Sequence, residues 1–250
     1  MLRLARRLPR IYSPPCLRTL SSIIPPLENS GSPTQLSFEE ASVILEATNN
    51  FIKLGVQGKR LDSLKTLKDE SVSTRFQAML EVRMMTELHV IAAFGFETSQ
   101  MGLMAFRQTM GALLQSTQGT ELQSLHRLDQ NIWYTILERS FAVTPKPIEV
   151  AKAREAVFMV TSQFQQNTFL DELKEGVAAI GTDAPDADKK KVLDEMLLQV
   201  WKEVLPGFGF TGDDGYVQFQ AALVEHNADQ QISTMLQSAQ MSVMQRALQP

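Results

Sequence analysis

The chain reads as an all-α protein built from two tandem, similar helical bundles of about four helices each. Three observations lead there. Apolar residues recur at helical spacing through almost everything after residue 37. No stretch alternates apolar and polar side chains as a half-buried strand would. A series of amphipathic helices, a Phe-Gly-Phe turn and a Gly-x-x-x-Phe helix start occurs twice.

The first twenty residues stand apart. They carry Arg3, Arg6, Arg7, Arg10 and Arg18, no acidic residue, and leucines at helical spacing, which is the composition of a mitochondrial transit peptide. Arg18, two residues before Leu20 and followed by Ser21 and Ser22, resembles a matrix-protease cleavage site. The other reading of such a segment is a basic arm that touches anionic lipid or nucleic acid. Without these five arginines, of 24 basic residues in all, the remainder faces 28 acidic ones and carries a net charge of about −9. An acidic mature chain argues against a nucleic-acid partner, because phosphate binding needs clustered Lys and Arg. The one cysteine, Cys16, leaves with the presequence, and with it any disulfide, thiolate nucleophile or cysteine-held metal. The apolar run Leu88 to Phe96 is too short to cross a membrane. Membrane association is therefore expected to be peripheral, through partners on the inner membrane.

Residues 21–36 are rich in Ser and Pro and form a linker or arm. The first repeat spans 37–143. Ser37-Phe38-Glu39-Glu40 is a capping box, and the helix it opens carries Val43, Ile44, Ala47, Phe51 and Leu54 up to Gly55. A second helix from about Ser73 places Phe76, Leu80, Met84, Leu88 and Ile91 on one face. A third runs from Leu103 to Leu114 and a fourth from Glu121 to Phe141. Thr144-Pro145-Lys146-Pro147 then interrupts the pattern, since proline lacks the backbone N–H and disfavours helix in the residue before it.

The second repeat, 144–250, returns to the same order. Its helices are expected from about Ile148, from Lys189 to Val204, from Tyr216, and around Ile232 to Ala247. Phe51 matches Phe164 at an offset of 113, Phe94-Gly95-Phe96 match Phe208-Gly209-Phe210 at 114, and Gly102 and Phe106 match Gly215 and Phe219 at 113. The single-residue changes fall where loops absorb them. Residues 90–106 resemble the Protein C-ten family, whose run is a helix ending in aromatic-Gly-Phe, a short loop, then Gly and a helix with Phe at its fourth step. Residues 204–219 form a second such copy. The resemblance covers about 90 residues of each half and implies an intracellular helical protein with no catalytic residue to carry over.

Gly207, Gly209 and Gly212 spell Gly-x-Gly-x-x-Gly, but a dinucleotide fingerprint needs a preceding strand, and here a helix is expected. The repeat keeps only the middle glycine and both phenylalanines. A helix-ending turn, with Gly95 and Gly209 left-handed and Phe94, Phe96, Phe208 and Phe210 packed into their bundles, fits better. Asp183, Asp186 and Asp188 and the pair Asp213-Asp214 lack the ligand spacing of a calcium loop and read as helix-capping acids. His89, His126 and His226 show no metal-ligand spacing, and no cofactor site is expected. Met79, Met84, Met85, Met101, Met104 and Met110 read first as core filling and otherwise as an adaptable binding surface. The expectation is a non-catalytic accessory subunit of a large mitochondrial assembly, ATP synthase or a respiratory-chain complex, in the matrix or on the matrix side of the inner membrane. An assembly factor, or a helical adaptor or carrier of an apolar ligand, is the alternative.

Overall fold

The computed structural model describes residues 33–67, 70–143, 146–181, 184–212, 214–226 and 229–247. The targeting segment, most of the arm, Thr144, Pro145, Asp183 and Asp213 lie outside these. The described residues form ten α-helices and two 3-10 turns, with no strand.

α1 (Phe38–Leu54) begins at the expected capping box. The Glu40 N–H donates to Ser37 Oγ at 3.1 Å, and the Ser37 N–H donates to the Glu40 carboxylate at 2.9 Å. The helix ends at Gly55, whose N–H reaches the Phe51 carbonyl. α2 (Val56–Leu64) follows at once, then α3 (Val72–Ala92), α4 (Gln100–Ser116) and α5 (Gly119–Phe141). Ser71 and Ser99 cap α3 and α4 by accepting from the N–H groups of Thr74 and Gly102. Beyond residue 146 come α6 (Val150–Phe164), α7 (Asn167–Ala179) and α8 (Asp186–Val204), which tightens into a 3-10 turn at Leu205–Phe208. α9 (Gly215–Leu223) ends in a second 3-10 turn, Val224–His226, and α10 (Gln230–Ala247) closes the described chain.

There are thus five α-helices on either side of residues 144–147, against an expectation of about four. The additional ones are α2 and α7. α2 buries only Leu61 and Leu64 as large side chains, too few to print a period in the sequence, whereas α7 does carry one, with Phe169, Leu170, Leu173 and Val177 at helical spacing.

Packing partners follow the same order in both stretches. α1 lies against α5, α3 and α2; α2 lies against α3 and α5; α3 leads into α4. α6 lies against α10, α8 and α7; α7 lies against α8 and α10; α8 leads into α9. The buried spacing of the last helices also agrees: Leu125, Ile132 and Ile136 match Ile232, Ala239 and Val243 at an offset of 107.

The interior does not stop at residues 144–147. One apolar cluster unites Ile52, Leu61, Phe76, Met79, Ile132 and Phe141 with Leu198, Val217, Ala221 and Val224. Tyr216 joins the two sides, its ring 5.4 Å from Phe76 and 6.0 Å from Trp201. Burial of its hydroxyl, and secondarily the Asp194 carboxylate, push the Tyr216 pKa far up. The contacts across run from α3 to α8 and from α5 to α9 and the 3-10 turn after it.

Candidate functional site

The two Phe-Gly-Phe turns have the same geometry. Gly95 has φ 85° and Gly209 φ 82°, the left-handed region that only glycine enters without cost. In each turn the N–H of the last phenylalanine reaches back five residues, from Phe96 to the Ile91 carbonyl at 3.3 Å and from Phe210 to the Leu205 carbonyl at 3.2 Å. That bond satisfies a carbonyl which the helix end would otherwise orphan. Phe94, Phe96 and Phe210 are buried, and Phe208 is half-buried against the cluster around Phe164 and Trp201. Phe96 meets Phe106 edge-to-face at 5.6 Å, and Phe210 meets Phe219 in the same way at 5.3 Å.

The next glycines explain why the helices after the turns start where they do. A Cβ on Gly102 would collide with the Glu97 carbonyl, and one on Gly215 would lie 2.9 Å from the Phe210 carbonyl group. Lys146 is particular to the second turn. Its ammonium donates to the Gly209 carbonyl at 2.7 Å and sits 5.2 Å from the Phe210 ring centre. Gly207 lies within the 3-10 turn that ends α8, and Gly209 and Gly212 follow it, so a helix precedes these glycines and not the strand a dinucleotide fingerprint requires.

The most concentrated charge lies between α3, α4 and α5. Arg83 donates to Glu87 at 2.8 Å and to Asp129 at 2.7 Å, Arg107 donates to Glu87 at 3.1 Å, and the Arg83 guanidinium lies 4.0 Å over the Trp133 ring. Burial opposes the charge on Arg83, but the Asp129 and Glu87 carboxylates outweigh it and hold the guanidinium more basic than usual. Two acids answered by two arginines form a charge-balanced clamp without a nucleophile, in which Arg83 Nη1 is buried and finds no hydrogen-bond partner among the described residues.

The methionines divide. Met79 is fully buried and Met110 half-buried, whereas Met84, Met85, Met101 and Met104 are exposed on α3 and α4. The stripe Phe76, Leu80, Met84, Leu88 and Ile91 is consequently not the inner face of α3 as a whole. The buried set is Val72, Ser73, Phe76, Met79, Val82, Thr86, Glu87, Val90 and Ile91. Thr86 is accommodated because its hydroxyl donates to the Val82 carbonyl, and Glu87 because two arginines meet it. Those polar residues disguised the true inner face.

The three histidines have separate surroundings. His89 lies edge-on to Phe51 at 5.1 Å, and His226 Nε2 is 2.8 Å from the Ile148 carbonyl. Among the described residues no group of three His, Cys, Asp or Glu side chains could hold a metal ion, and no helix is long and apolar enough to cross a membrane. An open groove of about 580 Å³ lies between α6 and α10, lined by Phe158, Thr161, Gln165, Gln231, Thr234 and Met235. Most of its lining residues carry an amide or a hydroxyl, but the surface they present to the groove, with Phe158 and Met235, is mainly apolar, and no titratable group lines it. Compared with known proteins, the chain matches no family model, no curated protein and no solved structure.

Proposed function

We propose that this chain is a non-catalytic accessory subunit of a large mitochondrial assembly, ATP synthase or a respiratory-chain complex, that works by protein–protein contacts. The observation that carries the reading is the exposed apolar face on α3 and α4, where Met84, Met85, Met101 and Met104 stand in solvent. Exposed apolar side chains gathered on neighbouring helices mark surfaces that another protein covers. Flexible thioethers adapt to such a neighbour at little conformational cost. The Arg-rich, acid-free first twenty residues supply the compartment, and the choice of assembly rests on that compartment alone.

The same reading includes the architecture. Two copies of one helical unit, of the kind that resembles Protein C-ten, explain the matched turns, the matched close-approach glycines and the common order of packing partners. After duplication the copies are bound together by the cluster around Tyr216, so they act as one body.

Native fractionation of solubilised mitochondria with quantitative mass spectrometry tests the proposal. Stoichiometric co-migration with one large complex is the expected result, and migration as a free monomer overturns it. The groove between α6 and α10 favours a second reading, a carrier or transient adaptor. Free migration together with an apolar ligand retained through purification would select that reading.

A further inference from the structure

The second half contains a template for what covers the exposed methionines. In the turn-anchored register Met84 corresponds to Leu198 (offset 114), and Met104, Gln108 and Gly111 correspond to Val217, Ala221 and Val224 (offset 113). Yet their surroundings are opposite. Met84 and Met104 are 36% and 49% exposed, while Leu198 and Val217 are 8% and 0% exposed. Leu198, Val217, Ala221 and Val224 are all covered by the first half, in the cluster that includes Ile132, Ile136, Leu137 and Phe141 of α5.

The covering face is specific. Gln130 on α5 donates through its side-chain amide to the Val224 carbonyl at 3.2 Å, and Tyr134, one turn on, lies near the Glu225 carboxylate, which adds to burial in raising the tyrosine pKa to about 12. Phe141 packs with Phe76, which in turn meets Tyr216 on α9. An amide, a tyrosine and a phenylalanine at i, i+4 and i+11 thus lie on one helical face and seal an aliphatic stripe.

We infer that the Met84–Met104 face of α3 and α4 is the docking site for a helix of another protein that presents an α5-like face, an amide followed one turn later by an aromatic ring. The inference extends an interface already built into the chain to the matching, uncovered surface, and it rests on the duplication and accessory-subunit reading above. Among the described residues, the helix positions that correspond to this face do not offer a second one. On α10, Gln237 and Met241 stand at the positions of Gln130 and Tyr134, and on α8 Lys190 stands at that of Phe76, so the amide persists but the aromatic rings do not. The missing rings assign the site to a different protein rather than to a second copy.

The test uses the full chain and a fluorescently labelled, helix-stapled peptide of residues 126–143 as the probe. Anisotropy should show saturable binding that weakens at least tenfold with Met84→Asp plus Met104→Asp. Binding should be unchanged by Phe158→Asp, at another exposed apolar position, and should also weaken when the peptide carries Gln130→Ala and Tyr134→Ala. If the aspartates lower the melting temperature, Met84→Gln plus Met104→Gln makes the same comparison without added charge. Absence of binding, or binding indifferent to these methionines, overturns the inference. So does concentration-dependent self-association that the same substitutions abolish, because it gives the face to a second copy. Co-migration of the chain with a large complex without peptide binding removes the docking inference and leaves the subunit reading. Free migration with methionine-dependent binding does the reverse.

Discussion

In the register of the proposed duplication, Arg83, Glu87 and Asp129 of the first half correspond to Leu197, Trp201 and Leu236 of the second. One interior position is therefore filled by a paired charge network on one side and by aliphatic and indole surface on the other. Leu197 and Leu236 pack against the cluster that contains Trp201, with nothing polar to satisfy. The charged version functions as a core because its carboxylates are answered by Arg83 and Arg107 and Trp133 covers the guanidinium, although Arg83 Nη1 is left without a hydrogen-bond partner among the described residues. Helix packing tolerates either chemistry, whereas a fraction of the charged one is unstable.

Breaking the network gives the largest expected effect. Arg83→Leu leaves Glu87 and Asp129 enclosed without their shared partner and should cost about 3–5 kcal/mol in urea unfolding. Making the first half apolar throughout, with Arg83→Leu, Glu87→Met and Asp129→Leu together, should restore wild-type stability or exceed it by about 1–4 kcal/mol. A triple variant as unstable as the single one would show that the two halves are not interchangeable at this depth.

The glycines at the helix starts come next. Gly102→Ala drives a Cβ into the Glu97 carbonyl and should cost about 1–3 kcal/mol, more than Gly215→Ala, where the approach to Phe210 is looser. Equal melting temperatures for the two variants would contradict the difference in spacing. The turn glycines should behave alike: Gly95→Ala and Gly209→Ala each force a side chain into the left-handed region and should cost about 1–2 kcal/mol. A loss at only one turn would break the match between them.

The smallest effect compares two clamps. Arg139 grips Asp62 at 2.6 Å and the carbonyls of Ile52 and Lys53 at the end of α1, while Arg154 grips Asp229 at 2.6 Å at the start of α10. The hydrogen bonds from these arginines hold both carboxyls below the usual range. A lowered carboxyl pKa adds stability above the unfolded value of about 3.9, and that stability disappears as the pH falls through the folded value. Asp62→Asn and Asp229→Asn should therefore each lower the melting temperature slightly at pH 7 and converge with the wild type as the pH falls through the folded pKa, which flattens the fall below about pH 4. An unchanged acid slope would show that the clamp contributes nothing.

These comparisons also show what the sequence can reveal. The helical class and the position of each long helix are legible because apolar spacing repeats for many turns, and the Phe-Gly-Phe turns because their glycines and rings recur together. The inner face of α3 is not legible, because Arg83, Thr86 and Glu87 occupy it and only the folded chain brings Asp129 and Arg107 to meet them. The joining of the halves is equally hidden, since nothing local in Tyr216 or Val217 reports that Phe76 and α5 will cover them. The exposed methionines were visible as a cluster. Whether they filled a core or faced solvent depended on a helix face that polar residues had disguised.

The placement of the two tryptophans has a practical consequence. Trp133 sits beneath a cation in the first half, and Trp201 touches the tyrosine that joins the halves. They are built-in optical reporters, one quenchable by a nearby charge and one fed by energy transfer from Tyr216. Replacing either with phenylalanine would leave a single-colour readout of one region, and coincident or separate unfolding curves from the pair would show directly whether the shared interior makes the molecule melt as one.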